Sequence, residues 1–195
     1  MQRIHKILLI DNFDSFTFLI ADAFKQLDCE VQIVRNDISP KNATKDFDLL
    51  VLSPGPCSPK ESAYLMKYIE HFYLSKPIFG ICLGFQAIVS FFNGSLTYTN
   101  PIHGESLLIK HDKKSLYKGL DNEITVGRYH SIVTDTLPKC MHASAYTKDG
   151  LIMSARHNDL PIEGVQFHPE SFLSNINESS GYKIFRNAVF HAFVK

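Results

Sequence analysis

The chain has 195 residues, of which 45% are hydrophobic, and its 20 lysines and arginines balance 20 aspartates and glutamates. This length predicts one globular domain over residues 1–195, and a near-zero net charge without long runs of like charge predicts no nucleic-acid partner. The apolar stretches are too short to cross a bilayer and the N-terminal one is too short for a signal peptide, so we expect a cytoplasmic protein without membrane association.

The first 92 residues alternate between strands and helices, a pattern typical of a parallel sheet with helices on both faces. Strands are predicted at residues 6–10, 31–34, 47–53 and 77–81, and helices at 16–27, 61–73 and 83–92. Ser15 is expected to cap the first helix, and Asn93-Gly94 to end the third. The predicted fold class is therefore α/β, with a flavodoxin-like and mostly parallel sheet.

From residue 95 onward the pattern changes to short alternating segments separated by turn residues, which favours antiparallel or mixed strands. These strands are predicted at residues 106–110, 124–129, 141–146, 151–155 and 162–167. A last helix is predicted at residues 181–194, where apolar side chains recur on one face. The sequence thus adds a mixed or antiparallel section to the α/β sheet.

The most informative segment is Gly80-Ile-Cys-Leu-Gly84, in which a buried strand turns directly into a helix with a cysteine at the turn. This geometry is that of a nucleophile elbow, with cysteine in place of serine. Glycines are needed on both sides because side chains there would collide as the helix packs back on the strand. The helix N-terminus would stabilise the reactive thiolate of Cys82. The alternative is a buried structural cysteine.

A base for this thiol is predicted in Gly164-Val-Gln-Phe-His-Pro-Glu170. The strand ends at His168, and Pro169 bends the chain so that His168 and Glu170 can point the same way. A carboxylate beside an imidazole holds the proton on one ring nitrogen and leaves the other to accept a proton from a thiol. Cys82 and His168 both follow strands, so they could meet at the carboxyl edge of the sheet. Alone, a His-Pro-Glu segment is in most cases only a surface turn.

Four segments together resemble the class I, or triad, glutamine amidotransferases. The segments are Ser53-Pro-Gly-Pro-Cys57, Gly80-Ile-Cys-Leu-Gly84 with Gln86, Arg128-Tyr-His-Ser131 and Gly164-Val-Gln-Phe-His-Pro-Glu170. The likeness covers essentially the whole chain and is greatest to the small glutaminase subunits of aminodeoxychorismate synthase and anthranilate synthase.

This resemblance implies an enzyme that hydrolyses L-glutamine to glutamate and delivers ammonia to a chorismate-binding synthase subunit, its partner in a heterodimer. The expected product is 4-amino-4-deoxychorismate, for folate synthesis. Anthranilate, for tryptophan synthesis, and a subunit shared by both pathways stay open as alternatives. A stand-alone γ-glutamyl cysteine hydrolase is a more remote alternative.

The resemblance also implies the role of each site residue. Cys82 is the expected nucleophile, His168 the base and then the acid, and Glu170 the residue that orients His168. The backbone N–H groups of Leu83 and Cys57 are expected to form the oxyanion hole. Glutamine is expected to bind at Gly55, Pro56, Cys57, Gln86, Ser131 and Ile132.

Three positions depart from the family pattern. Phe85 replaces a histidine of many relatives, but it lies on a different helical face from Gln86 and little effect is expected. Cys57 is more usual in aminodeoxychorismate and dual-purpose subunits, and it is interpreted as a weak indication of pathway. Glu105 stands where the family has lysine near the subunit interface, and this charge reversal could mark either a partner of complementary charge or a loss of tuning.

Other kinds of site find little support in the sequence. The four cysteines are scattered without a C-x-x-C motif, and His130 has no further ligand at metal-site spacing, so no metal is expected. No nucleotide-binding glycine motif is present, so no cofactor is expected. Asp11 and Asp14 suggest a phospho-accepting receiver domain, but Ser53 stands where such a domain would carry its aspartate.

Overall fold

The computed structural model describes residues 5–43, 46–101, 103–176 and 179–192. In the first half, strands and helices alternate as β1 (Lys6–Asp11), α1 (Thr17–Lys25), β2 (Glu30–Arg35), β3 (Leu49–Leu52), α2 (Leu65–Phe72), β4 (Ile78–Ile81) and α3 (Leu83–Phe91). In the second half follow β5 (Ser95–Tyr98), β6 (Glu105–His111), β7 (Glu123–Arg128), β8 (Ile132–Thr136), β9 (Met141–Thr147), β10 (Ile152–His157), β11 (Ile162–Val165) and α4 (Ser180–Asn187).

The strands form one mixed sheet in the order β2-β1-β3-β4-β11-β10-β9-β6-β7, and β8 bridges β10 and β5. Strands β2, β1, β3, β4 and β11 are mutually parallel, whereas the remaining pairs are antiparallel. The α/β class with its antiparallel section is therefore confirmed. Because β4 and β11 are parallel neighbours, the segments that follow them start side by side at one edge of the sheet.

Alternate side chains of the parallel strands face two separate core layers, as the two-residue period of a strand requires. Leu9 and Val51 pack with helices α1 and α4 on one face, and Leu8 and Leu50 pack with α2 and α3 on the other. These helices therefore cover both faces of the parallel half. In the described ranges, no helix combines the length and the apolar character that crossing a bilayer requires.

The two strands that the sequence did not predict, β5 and β8, pair with each other. Every residue of β5 is at least partly exposed, and the last two residues of β8 are exposed, so neither shows the apolar alternation of a strand with one buried face. Their existence depends on pairing between distant segments, which no local pattern reports.

Several predicted helix boundaries are corrected by the structure. Ser15 does not cap α1; the amide of Phe16 is bound instead by the side chain of Asp14, at 2.8 Å. Helix α2 begins four residues later than expected, because Ser58 and Glu61 close a separate short turn. These corrections concern the ends of helices and leave their order intact.

The expected end of α3 at Asn93-Gly94 is confirmed, whereas the end of α4 differs from expectation. Asn93 takes the left-handed conformation after α3, and the Gly94 amide donates to the Val89 carbonyl at 2.8 Å. Helix α4 is followed by a π-helical segment at Ala188–Ala192. The predicted end of this last helix, at residues 193–194, lies outside the described residues.

Candidate active site

Cys82 sits at a sharp turn between β4 and α3, with φ of 51° and ψ of −103°. A residue with a side chain adopts this backbone only under strain, at a cost of about 1–3 kcal/mol. A Cβ on Gly80 would lie 2.6 Å from the Gly84 carbonyl, and one on Gly84 would lie 2.6 Å from the Leu52 Cβ. The predicted elbow and the need for both glycines are therefore confirmed.

The elbow is tied to the neighbouring strand at the carboxyl edge of the sheet. The amide of Cys82 donates to the Val165 carbonyl at 2.8 Å, so the turn is held against the end of β11. Cys82 is buried, with 6% of its surface exposed. Cys82 is thus both buried and placed at the edge where ligands bind in open α/β folds.

His168 and Glu170 form a buried pair on the segment after β11. His168 Nδ1 lies 2.6 Å from Glu170 Oε1, and the two side chains are 3% and 0% exposed. Three hydrogen bonds hold the backbone of this segment. The His168 amide donates to the Gly127 carbonyl, and the Ser174 hydroxyl donates to the His168 carbonyl. The side-chain amide of Asn175 donates to the Pro169 carbonyl. The pairing predicted from the sequence is present, and the surrounding loop fixes its position.

Charge at Cys82 and Glu170 sets the protonation of His168. Burial alone would lower the pKa of this imidazole, but the negative charges of Glu170 and Cys82 outweigh it and raise the pKa well above its ordinary value. His168 Nε2 is buried, and its contact with Cys82 lacks good hydrogen-bond geometry. Such contacts commonly tighten only when substrate binds.

Two aromatic rings that sequence reasoning missed enclose the imidazole. The rings of Phe16 and Tyr129 each lie 5.0 Å from the His168 ring, and the Tyr129 hydroxyl is 2.9 Å from the Ser171 hydroxyl. Packing on both rings restricts rotation of the imidazole. Tyr129 lies inside a segment that carried the family resemblance, whereas Phe16 stood only in a predicted helix.

The loop at residues 53–57 packs directly against the start of α3. A Cβ on Gly55 would lie 2.6 Å from both Asn12 Cβ and Leu83 Cδ2, so only glycine allows this approach. Asn12 clamps the loop, because its side-chain amide donates to the Ser53 carbonyl at 2.8 Å. The structure therefore brings together Gly55 and Leu83, two of the predicted site residues.

Pro56 and Cys57 form the outer end of this loop and are exposed. Cys57 has φ of 66°, in the left-handed region. Leu83 opens α3, where the first amides of a helix have no partner within the helix. Both of the amides predicted for an oxyanion hole thus belong to segments that meet at the elbow.

Gln86 and Ile132, both predicted to bind glutamine, contact each other. The Gln86 side-chain amide donates to the Ile132 carbonyl at 3.1 Å and to Gln166 Oε1 at 3.3 Å. Gln166 in turn donates to Cys82 Sγ at 3.6 Å. Ser131 is half-buried, and its carbonyl accepts from the Thr99 amide. Gln166 was quoted in a motif but assigned no role, and it contacts the predicted nucleophile.

Arg128 and His130 form a second buried pair beside the site. Arg128 Nε donates to His130 Nε2 at 3.3 Å. Burial, together with the positive charges of Arg128 and His168, lowers the pKa of His130 to about 4, so His130 is neutral at pH 7. Within the described residues, no group of three or more histidine, cysteine or acidic side chains could hold a metal ion.

Two of the family departures are placed by the structure. Phe85 is fully buried in the core layer between α3 and the sheet, while Cys82 belongs to the layer on the opposite face. Glu105 is exposed at the start of β6, in register with Arg128 of β7. Phe85 thus fills the core rather than the site.

Comparison with known proteins supports the resemblance read from the sequence. The family model described as "Glutamine amidotransferase class-I" matches residues 8–191. The aminodeoxychorismate/anthranilate synthase component 2 of Bacillus subtilis (strain 168) is 43% identical over 188 residues, 94% of this chain and 95% of that protein. The anthranilate synthase component 2 of Pseudomonas putida is 40% identical over 192 residues, 93% of this chain and 94% of that protein.

Solved structures show the same fold. A glutamine amidotransferase from Thermotoga maritima superimposes with a TM-score of 0.80 over 96% of this chain and 97% of that chain. Its sequence is only 15% identical, so this likeness concerns the fold alone.

Proposed function

The chain belongs to the class I glutamine amidotransferase family, and we propose that it is the glutaminase subunit of a chorismate-using synthase. It hydrolyses L-glutamine to glutamate and passes ammonia to a separate chorismate-binding subunit, with which it forms a heterodimer in the cytoplasm. The observation that carries this proposal is the strained Cys82 elbow beside the buried His168–Glu170 pair. The family match and the component 2 names of its relatives support it.

The reaction begins with attack of the Cys82 thiolate on the side-chain amide carbon of glutamine. The raised pKa of His168 favours the imidazolium, whose positive charge beside Cys82 stabilises the attacking thiolate. Negative charge then develops on the amide oxygen and is stabilised by the backbone N–H groups of Leu83 and Cys57. His168 gives its proton to the departing nitrogen, ammonia leaves, and a γ-glutamyl thioester stays on Cys82.

The second half of the reaction hydrolyses that thioester. Neutral His168 accepts a proton from a water molecule, whose oxygen attacks the thioester carbon. Collapse of the tetrahedral intermediate breaks the carbon–sulfur bond, releases glutamate and restores the thiolate and the imidazolium. Glu170 holds Nδ1 of the imidazole throughout, so that Nε2 faces the reacting atoms.

Cys82→Ala tests the chemical role of the thiol. With a chorismate-binding subunit present, we expect this variant to lose glutamine-dependent synthesis and to retain ammonia-dependent synthesis, because ammonia bypasses the glutaminase step. If both activities disappear from a folded complex, Cys82 is structural and the proposal is wrong. Cys29→Ala is the matched control, since Cys29 is also a free, buried cysteine and lies between α1 and β2, outside the elbow.

The pathway is tested by glutamate release with each type of large subunit and chorismate. We propose 4-amino-4-deoxychorismate as the product, and the relative named for both synthases supports anthranilate or dual use as the alternative. Stimulation by one large subunit assigns the pathway, and stimulation by both makes this a shared subunit. No turnover with either, despite ready alkylation of Cys82, would favour the stand-alone γ-glutamyl hydrolase.

A further inference from the structure

We propose that Gln166 is a positioning residue for the Cys82 sulfur, which it holds through a hydrogen bond from its side-chain amide. Gln166 Nε2 lies 3.6 Å from Cys82 Sγ, within the range of a hydrogen bond to sulfur. Gln166 is completely buried, so no bulk water competes for its amide. This inference rests on the proposed role of Cys82 as the nucleophile, and it adds a residue to which no role in the reaction has so far been assigned.

The direction of this hydrogen bond follows from a chain of amides that starts at a fixed acceptor. The Ile132 backbone carbonyl can only accept, so the NH₂ end of Gln86 must face it, at 3.1 Å. The same NH₂ group donates its second hydrogen to Gln166 Oε1, at 3.3 Å. The carbonyl end of Gln166 is therefore turned toward Gln86, and its NH₂ end is turned toward the sulfur of Cys82.

Reversing either amide would destroy this order. If Gln166 were flipped, two NH₂ groups would face each other; if Gln86 were flipped as well, its oxygen would oppose the Ile132 carbonyl. Both glutamines are at least 97% buried, so neither mismatch could be repaired by solvent. A backbone carbonyl at the first residue of β8 thus determines that a donor, and not an acceptor, contacts the nucleophile.

The backbone of Gln166 is held as firmly as its side chain. Its amide donates to the Met153 carbonyl of β10 at 2.8 Å, directly after β11 ends. Two residues further, His168 is held on the Gly127 carbonyl. Gln166 and His168 therefore reach Cys82 from one anchored segment, which aligns the sulfur with the base. A donor at sulfur also favours the thiolate, because charged acceptors form the stronger hydrogen bonds.

The test compares two variants of the full chain by alkylation of Cys82 and by turnover with the large subunit. Gln166→Met keeps the length but removes the donor, and Gln166→Glu keeps the shape but sets an acceptor and a charge against the sulfur. We expect the rate of Cys82 alkylation by iodoacetamide at pH 7, and kcat with glutamine, to fall about tenfold in Gln166→Met. Gln166→Glu should be lower still, and KM for glutamine should be unchanged in both.

Ser154→Ala is the matched control. Ser154 is fully buried in the neighbouring strand and donates to the Gly164 carbonyl at 2.8 Å, so its removal costs a buried hydrogen bond without touching the thiol. We expect a lower Tm and an unchanged alkylation rate. Alkylation is read on the peptide that contains Cys82, because Cys57 is exposed and also reacts.

The outcomes separate this inference from the proposed function. An alkylation rate within twofold of the wild type in folded Gln166→Met and Gln166→Glu would overturn the positioning role. A raised KM for glutamine as the only effect would overturn it as well, because Gln166 would then be a substrate contact. Reduced alkylation in both variants supports the inference even if the wild-type complex releases no glutamate, a result that would refute the glutaminase proposal alone.

Discussion

Replacing Glu170 by glutamine tests whether a buried charge pair sets the state of His168. The substitution keeps the shape and an acceptor oxygen 2.6 Å from Nδ1, but it removes the negative charge. The pKa of His168 should then fall, because burial lowers it and only Cys82 is left to oppose burial. A lower pKa leaves less imidazolium beside Cys82 before substrate binds, so the attacking thiolate loses part of its stabilisation.

The stability effect has a definite sign. A histidine with a raised pKa in the folded state stabilises the fold fully below about pH 6.5, and this contribution disappears as pH rises through the raised value. Removing one partner of a buried charge pair costs about 3–5 kcal/mol. We therefore expect Glu170→Gln to lose about 3 kcal/mol at low pH, and about 1 kcal/mol, one neutral hydrogen bond, above the raised pKa of His168.

Urea unfolding at about pH 6 and at a pH above the raised pKa of His168, located by titrating the imidazole, measures both values, provided that the slope m is the same for the two proteins. Glu61→Gln is the control, because Glu61 is exposed and its loss should cost little at either pH. Glutamine-dependent synthesis should fall about 10²–10⁴-fold while ammonia-dependent synthesis persists. An equal loss of stability at the two pH values would refute the charge argument, since packing alone would then explain the pair.

Three further substitutions test other parts of the structure. Gly84→Ala would drive a Cβ into the backbone of Leu52, and we expect it to cost about 3 kcal/mol in urea unfolding and to abolish activity; a stable, active variant would contradict the elbow geometry. Cys57→Gly should keep full glutaminase activity in a coupled glutamate assay, because it preserves the N–H and suits φ of 66°; loss of activity would mean that the thiol itself participates. Glu163→Gln should lower stability by about 3 kcal/mol in the same unfolding assay, because it discharges a buried ion pair with Arg156, whereas a loss below about 1 kcal/mol would mean that the pair is dispensable.

The elements that the sequence predicted best are those whose burial is complete. Strands β1, β3 and β4 appear as short apolar runs closed by turn residues, and the structure buries nearly all of their side chains. Helix ends were less predictable, because a cap depends on which nearby side chain reaches an amide first. At α1 no side chain caps the first turn, and Asp14 rather than Ser15 binds the Phe16 amide, although both are helix-capping residues by type.

The segments that carry the proposed triad were predictable because their residues also shape the local backbone. Gly80 and Gly84 flank a turn that only a strained residue can make, and Pro169 bends the chain between His168 and Glu170, so short motifs carry both the chemistry and the geometry. Phe16 had no such signal. Its ring contacts that of His168, which lies far away in the sequence. In the sequence, nothing distinguishes Phe16 from any other apolar residue of a predicted helix.

The amide chain illustrates what sequence reasoning misses in principle. Gln86 was predicted to bind substrate, yet its NH₂ group is occupied by Ile132 and Gln166, which lie 46 and 80 positions away in the chain. A glutamine side chain can donate or accept, and its role depends on the partner at the far end. Here that partner is a main-chain carbonyl, which any residue at position 132 would supply. The fold therefore determines that a donor faces the Cys82 sulfur, because it places the Ile132 carbonyl against Gln86. The side chains of Gln86 and Gln166 supply the two amide groups that connect this carbonyl to the sulfur.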